Sequence, residues 1–252
     1  MQTKKPIKIK TKEDIKALRE AGKILSSIVK ELQCSLKTGI TTSEIDSITE
    51  KLIADAKVRP AFKGYRGFPS CACVSVNEEV VHGIPSERVL CDGDIVSVDV
   101  GIIYNNYYSD MAVTVGIGDV LPKVKQLMSV TRDGLLRGIA KGMPGNHLSD
   151  ISHAIQSFVE EKGFSVVRDF VGHGIGTALH EEPEIPNFGP PHRGPELKEG
   201  MVFAIEPMVN LGSWQIQIME DGWTVKTLDR KPSAHFEHTV VITENGPEIL
   251  TR

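Results

Sequence analysis

Asp94-Ile95-Val96-Ser97-Val98-Asp99-Val100, continued by Gly101 to Tyr108 and then Ser109-Asp110-Met111-Ala112-Val113-Thr114-Val115, is the stretch that decides the fold. Its residues alternate with the period of two that marks a β-strand, on either side of Asn105-Asn106. Asparagine tolerates the positive φ that a tight two-residue hairpin turn demands. The spacing predicts a hairpin with Tyr104 facing Tyr107, Asp99 opposite Ala112 and Asp110 opposite Gly101. Asp99, Ala112 and Asp110 then share one face, the two aspartates being diagonal neighbours roughly 7–8 Å apart at Cβ. Two bare carboxylates in that position repel, and a cation between them removes the repulsion. On this stretch alone, an exposed hairpin with solvated aspartates explains the residues equally well.

The rest of the chain tips that balance. At 252 residues there is room for one large domain with a substantial core. A net charge of -4 gives no electrostatic case for nucleic acid. No apolar run approaches the roughly 18 residues of a membrane span, and the N-terminus lacks the apolar core of a signal peptide. Lys4, Lys5, Lys8, Lys10 and Lys12 predict a short, solvated basic arm over residues 1–10. Cys34, Cys71, Cys73 and Cys91 form no Cys-x-x-Cys pair and suit reduced thiols in the cytoplasm, each acting as a small buried hydrophobe.

Thr11 to Asp14 opens a helix with a capping-box start, and Ile15, Leu18, Leu25, Ile28, Val29 and Leu32 supply its apolar stripe. A second helix is expected over about 43–57, with further helices to about Lys141 and over about 149–162. Residues 60–69 form a Gly- and aromatic-rich loop with Phe62, Tyr65 and Phe68. Residues 71–81 read as extended, as do 166–171, and 182–194 as a long Pro- and Gly-rich loop. Two more strands carry 201–209 and 237–243.

Compared with itself, the chain repeats. Residues 39–53 align without gaps on 142–156, matching Ile45 to Leu148, Ile48 to Ile151 and Leu52 to Ile155. Leu90-Cys-Asp-Gly-Asp-Ile-Val-Ser-Val-Asp99 aligns on Leu197-Lys-Glu-Gly-Met-Val-Phe-Ala-Ile-Glu206, and Asp110-Met-Ala-Val-Thr-Val on Glu237-His-Thr-Val-Val-Ile. The halves, about 11–120 and 121–252, each give two helices and then a strand pair bearing two acids. Packed about a pseudo-twofold axis, they would bring Asp99, Asp110, Glu206 and Glu237 together. Four buried carboxylates without compensation cost many kcal/mol or take up protons, and divalent cations remedy this. Oxygen-rich ligation favours manganese, iron(II), cobalt or magnesium over a thiolate-type zinc site, and four acids can hold two ions roughly 3.5–4 Å apart. His173, flanked by two glycines, is the obvious nitrogen ligand, with His180 and His82 close to the same chemistry. His147, His153, His192, His235 and His238 have weaker contexts and are read as structural or solvated. Gly172-His-Gly-Ile-Gly176, with Leu179, is neither a dinucleotide fingerprint nor a Walker loop. Glu184 and Pro183 rule out a His-Glu-x-x-His helix, and no Gly-x-Ser-x-Gly elbow is present.

With His82-Gly-Ile-Pro, Gly-His173-Gly-Ile-Gly, His180-Glu-Glu-Pro, Ile-Glu206-Pro, Asp221-Gly-Trp-Thr and Glu237-His-Thr, the chain resembles the methionine aminopeptidases, type I in particular. The resemblance runs from about Ile15 to the C-terminus. Neither the type II insertion nor a zinc-binding N-terminal extension is visible, and the chain is short for a proline-specific aminopeptidase or creatinase. The resemblance implies an α+β pita-bread fold, one catalytic domain over 1–252 with pseudo-twofold duplicated halves and helices outside a central curved antiparallel sheet. It implies that Asp110 and Glu237 bridge two divalent ions (cobalt, manganese, iron(II) or zinc), that Asp99 completes one site, and that His173 with Glu206 completes the other. Glu206 would also accept a proton from the attacking water, His180 would stabilise the oxyanion, and His82 would position the amide and assist the leaving nitrogen. Tyr65, Phe68, Cys73 and Trp223 occupy the methionine-pocket positions, and Asn77 and Ser233 those of a monovalent-cation site. The implied substrates are nascent polypeptide N-termini with a small second residue, met by a cytoplasmic monomer, with the ribosome as a candidate partner. A binding protein that has lost catalysis is disfavoured by retention of all five ligands and both histidines, and another specificity by the pocket residues.

Overall fold

A computed structural model describes residues 6–252, so Lys4 and Lys5 of the basic arm lie outside the described residues. The hairpin forms in the register that its alternation dictates. Strands Ile95–Tyr104 and Tyr107–Gly116 pair antiparallel, with Tyr104 opposite Tyr107, Asp99 opposite Ala112 and Gly101 opposite Asp110. Asn105 and Asn106 take φ of 48° and 66°, the two positive values of a type I′ turn. On the other edge of Ile95–Tyr104 lies Ala72–Val76, which sets Cys73 opposite Asp99. The extended 71–81 stretch is broken at Asn77 (φ 55°) into Ala72–Val76 and Glu79–Val81. Gly101 answers a packing demand: a Cβ there would lie 2.6 Å from the Phe62 ring.

The second half builds a five-stranded sheet in the order Gly246–Ile249, His238–Thr243, Val202–Ile205, Gly172–Gly174, Glu181–Ile185. Its last ladder pair is His238 with Ile205, and Glu206 and Glu237 stand one residue beyond it. The glutamates therefore face each other directly, whereas the aspartates are diagonal. Alignment of the halves would set Glu206 opposite Thr239, so the pairing is displaced by two residues. An even displacement keeps every side chain on its face.

The central antiparallel layer expected from the sequence is present as ladders of four and five strands, joined by threonine side chains and one backbone bond. Asp110 N–H donates to Thr239 Oγ1 (3.0 Å) and Thr239 Oγ1 to the Asp110 carbonyl (2.8 Å). Thr114 Oγ1 likewise donates to the His235 carbonyl (2.7 Å) and accepts the His235 N–H (2.9 Å), while Glu237 N–H donates to the Ala112 carbonyl. Two threonine hydroxyls thus replace rungs of a ladder, and the join falls between the two acid-bearing pairs.

Among the described residues four α-helices cover the sheets: α1 (Lys12–Ser35), α2 (Thr42–Asp55), α3 (Pro122–Ile139) and α4 (Leu148–Glu161). Capping boxes start α1 at Thr11 with Asp14 and α2 at Thr41 with Glu44. Leu25, Leu32 and Ile45 pack on Val96, Val98 and Val100 beneath α1 and α2, and Leu127, Ile151 and Ile155 pack with Phe203 and Val240 beneath α3 and α4. The 182–194 loop is shorter than its composition suggests, because Glu181–Ile185 joins the sheet as an edge strand, where Pro183 needs no N–H. Strand-like 166–171 contributes only Ser165–Val166 at its start. Cys71 and Cys73 are buried, but Cys34 and Cys91 are exposed, so the buried-hydrophobe expectation fails for those two. The described part of the basic arm is solvated at Lys8 but not at Lys10, which is buried, its N–H donating to the Gly200 carbonyl and its ammonium to Glu181. No helix among the described residues is long and apolar enough to cross a membrane.

Candidate active site

The join between the sheets opens into a cleft with about 650 Å³ of free space. Asp99, Asp110, His173, Glu206 and Glu237 line it together with His82, His180, Tyr65, Phe68, Cys73 and Trp223. Donor atoms of Asp110, His173 and Glu237 lie within 4.8 Å of one another, as do those of Glu206, His235 and Glu237. Asn77 and Ser233 lie outside this lining and meet each other, with Ser233 N–H donating to the Asn77 carbonyl at 2.9 Å.

His173 is oriented by its own strand. Its Nδ1 donates to the Gly174 carbonyl (2.9 Å), which fixes the proton on that nitrogen and turns the Nε2 lone pair inward. Nε2 lies 3.5 Å from Glu206 Oε1. Burial lowers the His173 pKa to about 4, so the ring is neutral and able to ligate at physiological pH. His180 stacks on Tyr65, ring centroids 5.4 Å apart, and its Nδ1 meets the Tyr65 hydroxyl at 2.9 Å. Burial, then the neighbouring His173, brings His180 down to about 3. His82 sits at φ 57°, a sparsely populated conformation for a non-glycine residue, edge-on to Phe170 and Trp223. Burial lowers it to about 4. Trp223 is presented by Asp221, whose carboxylate accepts the Trp223 and Thr224 N–H groups and the Thr224 hydroxyl. The ring then packs edge-on against Phe68 at 5.1 Å.

The four acids are strained by their own proximity. Burial pushes Asp99 up to about 7. Burial followed by the charge of neighbouring acids pushes Asp110, Glu206 and Glu237 well above the carboxylate range. Asp99 Oδ1, Glu237 Oε1 and His235 Nε2 are buried without a hydrogen-bond partner. Unpaired acceptors among crowded acids are the donor set a hard or borderline divalent cation requires, so these residues fit such an ion. Cys73 does not add a thiolate, because burial and then Asp99 raise its pKa well above the ordinary value.

His235, read from the sequence as structural or solvated, belongs to the buried donor cluster with Glu206 and Glu237. It is 1% exposed, and its Nε2 lies 3.7 Å from Glu206 Oε2. The available signal was its place two residues before Glu237, on the same face of an extended segment. Phe62 of the aromatic-rich loop lines the cleft as well, and so do Arg66 and Leu179, which the sequence reading did not single out. The remaining histidine cluster is a helix cap. Asp150 accepts the N–H groups of both His147 and His192 at the start of α4, with His192 Nδ1 at 3.3 Å.

Residues 16–244 match the model of metallopeptidase family M24. The chain is 52% identical over 243 residues to methionine aminopeptidase 1 of Bacillus subtilis, covering 96% of this chain and 98% of that one. A crystal structure of methionine aminopeptidase from Thermotoga maritima superposes with a TM-score of 0.96 at 48% identity, covering 98% of this chain and all of the other. The prolidase of Pyrococcus furiosus shares the fold at 26% identity and a TM-score of 0.79, with 97% of this chain and 65% of that one covered. With its acid cluster, its neutral histidines and these likenesses, the chain belongs to metallopeptidase family M24, among the methionine aminopeptidases.

Proposed function

We propose that this chain is a metal-dependent aminopeptidase that releases methionine from new polypeptides whose second residue is small. The observation that carries this is the gathering of Asp99, Asp110, His173, Glu206 and Glu237 in one cleft that Tyr65, Phe68, Cys73 and Trp223 also line. Asp110 and Glu237 would bridge two divalent ions, with Asp99 completing one ligand set and His173 with Glu206 the other; cobalt, manganese, iron(II) and zinc are the candidates. When bound, such ions polarise the carbonyl of the first peptide bond and lower the pKa of a water toward neutrality.

Glu206 accepts the proton that this water gives up, because it faces the cleft from a rigid strand end. His180 donates to the developing oxyanion. For this the Tyr65 hydroxyl would donate to Nδ1, leaving the proton of the neutral ring on Nε2. His82 positions the amide and assists the leaving nitrogen. The methionine side chain packs between Phe68, Tyr65 and Trp223, where an aromatic–sulfur contact contributes roughly 0.3–1.5 kcal/mol. The free α-amine meets the acid-lined end, which makes the enzyme an exopeptidase. A monovalent cation at Asn77 and Ser233 would brace the strand ends behind the site. We read the whole chain as one catalytic domain, a cytoplasmic monomer that meets its substrates as they leave the ribosome.

Incubating metal-loaded protein with Met-Ala-Ser and Met-Leu-Ser tests the specificity. Free methionine should appear from the first and far more slowly from the second. Release from neither would remove the proposal, and equal release would remove the small-residue rule. His180→Ala should lower kcat by roughly 10²–10³-fold while metal content stays at the wild-type value. Loss of metal in that variant would instead make His180 a ligand.

A further inference from the structure

The ion pair between Lys10 and Glu181 is buried, joins residues 171 positions apart in the chain, and ends one residue from His180. The two side chains are each 5% exposed, with Nζ 2.6 Å from Oε2. Buried pairs of this kind are costly to assemble, so the surrounding structure must hold both partners. Here it does. Lys10 is fixed by its backbone, whose N–H donates to the Gly200 carbonyl at 2.8 Å. Its stem passes over Gly176, where a Cβ would stand 2.3 Å from Lys10 Cε, so a side chain there would push the lysine aside. Glu181 uses its second oxygen on the loop it terminates: Oε1 accepts the N–H of Thr177 (2.8 Å) and of Ala178 (3.2 Å), with the Thr177 hydroxyl at 3.1 Å. Burial pushes the Glu181 carboxyl up, and the bond and charge of Lys10, with Lys8 and Thr177, outweigh it and hold it below the ordinary value.

We infer that Lys10 is a positioning residue: through Glu181 it locks the 175–181 loop and so sets where His180 stands beside His173. This rests on the role assigned above to His180. The His180 ring has its centroid 4.2 Å from that of His173, and its remaining support is Tyr65, itself on the 60–69 loop. Without Lys10, Glu181 keeps only the exposed Lys8 at 3.5 Å and turns outward toward it, Thr177 and Ala178 lose their acceptor, and the histidine samples positions off the oxyanion. A misplacement of about 1 Å remote from the chemistry is enough to lower turnover by roughly 10²-fold. The N-terminal arm is thereby a part of the active-site architecture.

The test is a double-mutant cycle on the metal-loaded enzyme with Met-Ala-Ser. Lys10→Met should lower kcat by roughly ten- to a hundredfold, with KM within about threefold and metal content unchanged. Glu181→Gln, which keeps an acceptor for Thr177 and Ala178 but removes the charge, should reproduce the kcat loss if Lys10→Met folds poorly. In the His180→Ala background, Lys10→Met should have no further effect on kcat, because both changes remove one contribution. Amide exchange at Thr177 and Ala178 should accelerate in Lys10→Met. Losses that multiply in the double variant, or a kcat within twofold of wild type for both Lys10→Met and Glu181→Gln, would overturn the inference. A His180→Ala enzyme of full activity would instead remove the role of His180, while unchanged amide exchange in Lys10→Met would remove the clamp itself.

Discussion

Glu206→Ala should lower methionine release by roughly 10³-fold or more at saturating metal, the largest loss of any single change in the cleft. Three contributions vanish together. The variant loses the carboxylate placed to accept a proton, and it loses an oxygen from the donor set around His173. It also leaves His235 Nε2, buried and otherwise unpartnered, without the group it faces at 3.7 Å. Glu206→Gln separates the first from the second. The amide oxygen stays on the strand end and can ligate, but its nitrogen accepts no proton. That variant should keep more metal than Glu206→Ala while remaining nearly as slow. Turnover measured against added metal checks both, and near-normal activity in either would remove Glu206 as the proton acceptor.

Metal removal should destabilise the protein strongly at pH 8 and little at pH 5. In the metal-free protein the cluster carboxyls titrate above their unfolded values, Asp99 at about 7 and the other three in the same direction. A group whose folded pKa is raised stabilises the fold below its unfolded pKa, and loses that contribution as pH climbs through the folded one. The window therefore runs from about pH 4 to pH 7 and beyond. A bound divalent ion reverses the preference by favouring the charged carboxylates. The gap between loaded and chelator-treated protein should widen with pH, to on the order of several kcal/mol at pH 8, or a Tm difference of about 10 °C or more. Calorimetry at both pH values decides it: an equal gap, or a wider one at pH 5, would contradict a crowded and compensated acid cluster.

What could be read in the sequence was what is local and periodic. The hairpin register follows from two-residue alternation closed by Asn105-Asn106, and it appears pair for pair. The four acids were legible because the repeat placed acid on acid twice, and His173 because two glycines flank it. The displaced pairing of Glu206 and Glu237 was not legible, since an even shift leaves the face pattern unchanged. Nor was the join between the sheets, which depends on Thr114 and Thr239 substituting hydroxyls for backbone rungs between segments far apart in the chain. His235 was missed because a lone histidine near an acid carries little signal until burial is known. Lys10 was misread for a similar reason: among the five lysines of 4–12 nothing marks the one whose partner, Glu181, lies 171 residues along the chain.

Everything above depends on Asp99, Asp110, His173, Glu206 and Glu237 sharing divalent metal at one place. Anomalous diffraction from a cobalt-loaded crystal, recorded at the metal edge, tests this most directly. The account predicts strong peaks in the cleft within bonding distance of all five side chains. Peaks elsewhere, or none beside Asp110 and Glu237 in a crystal whose solution sample is active and metal-loaded, would contradict it.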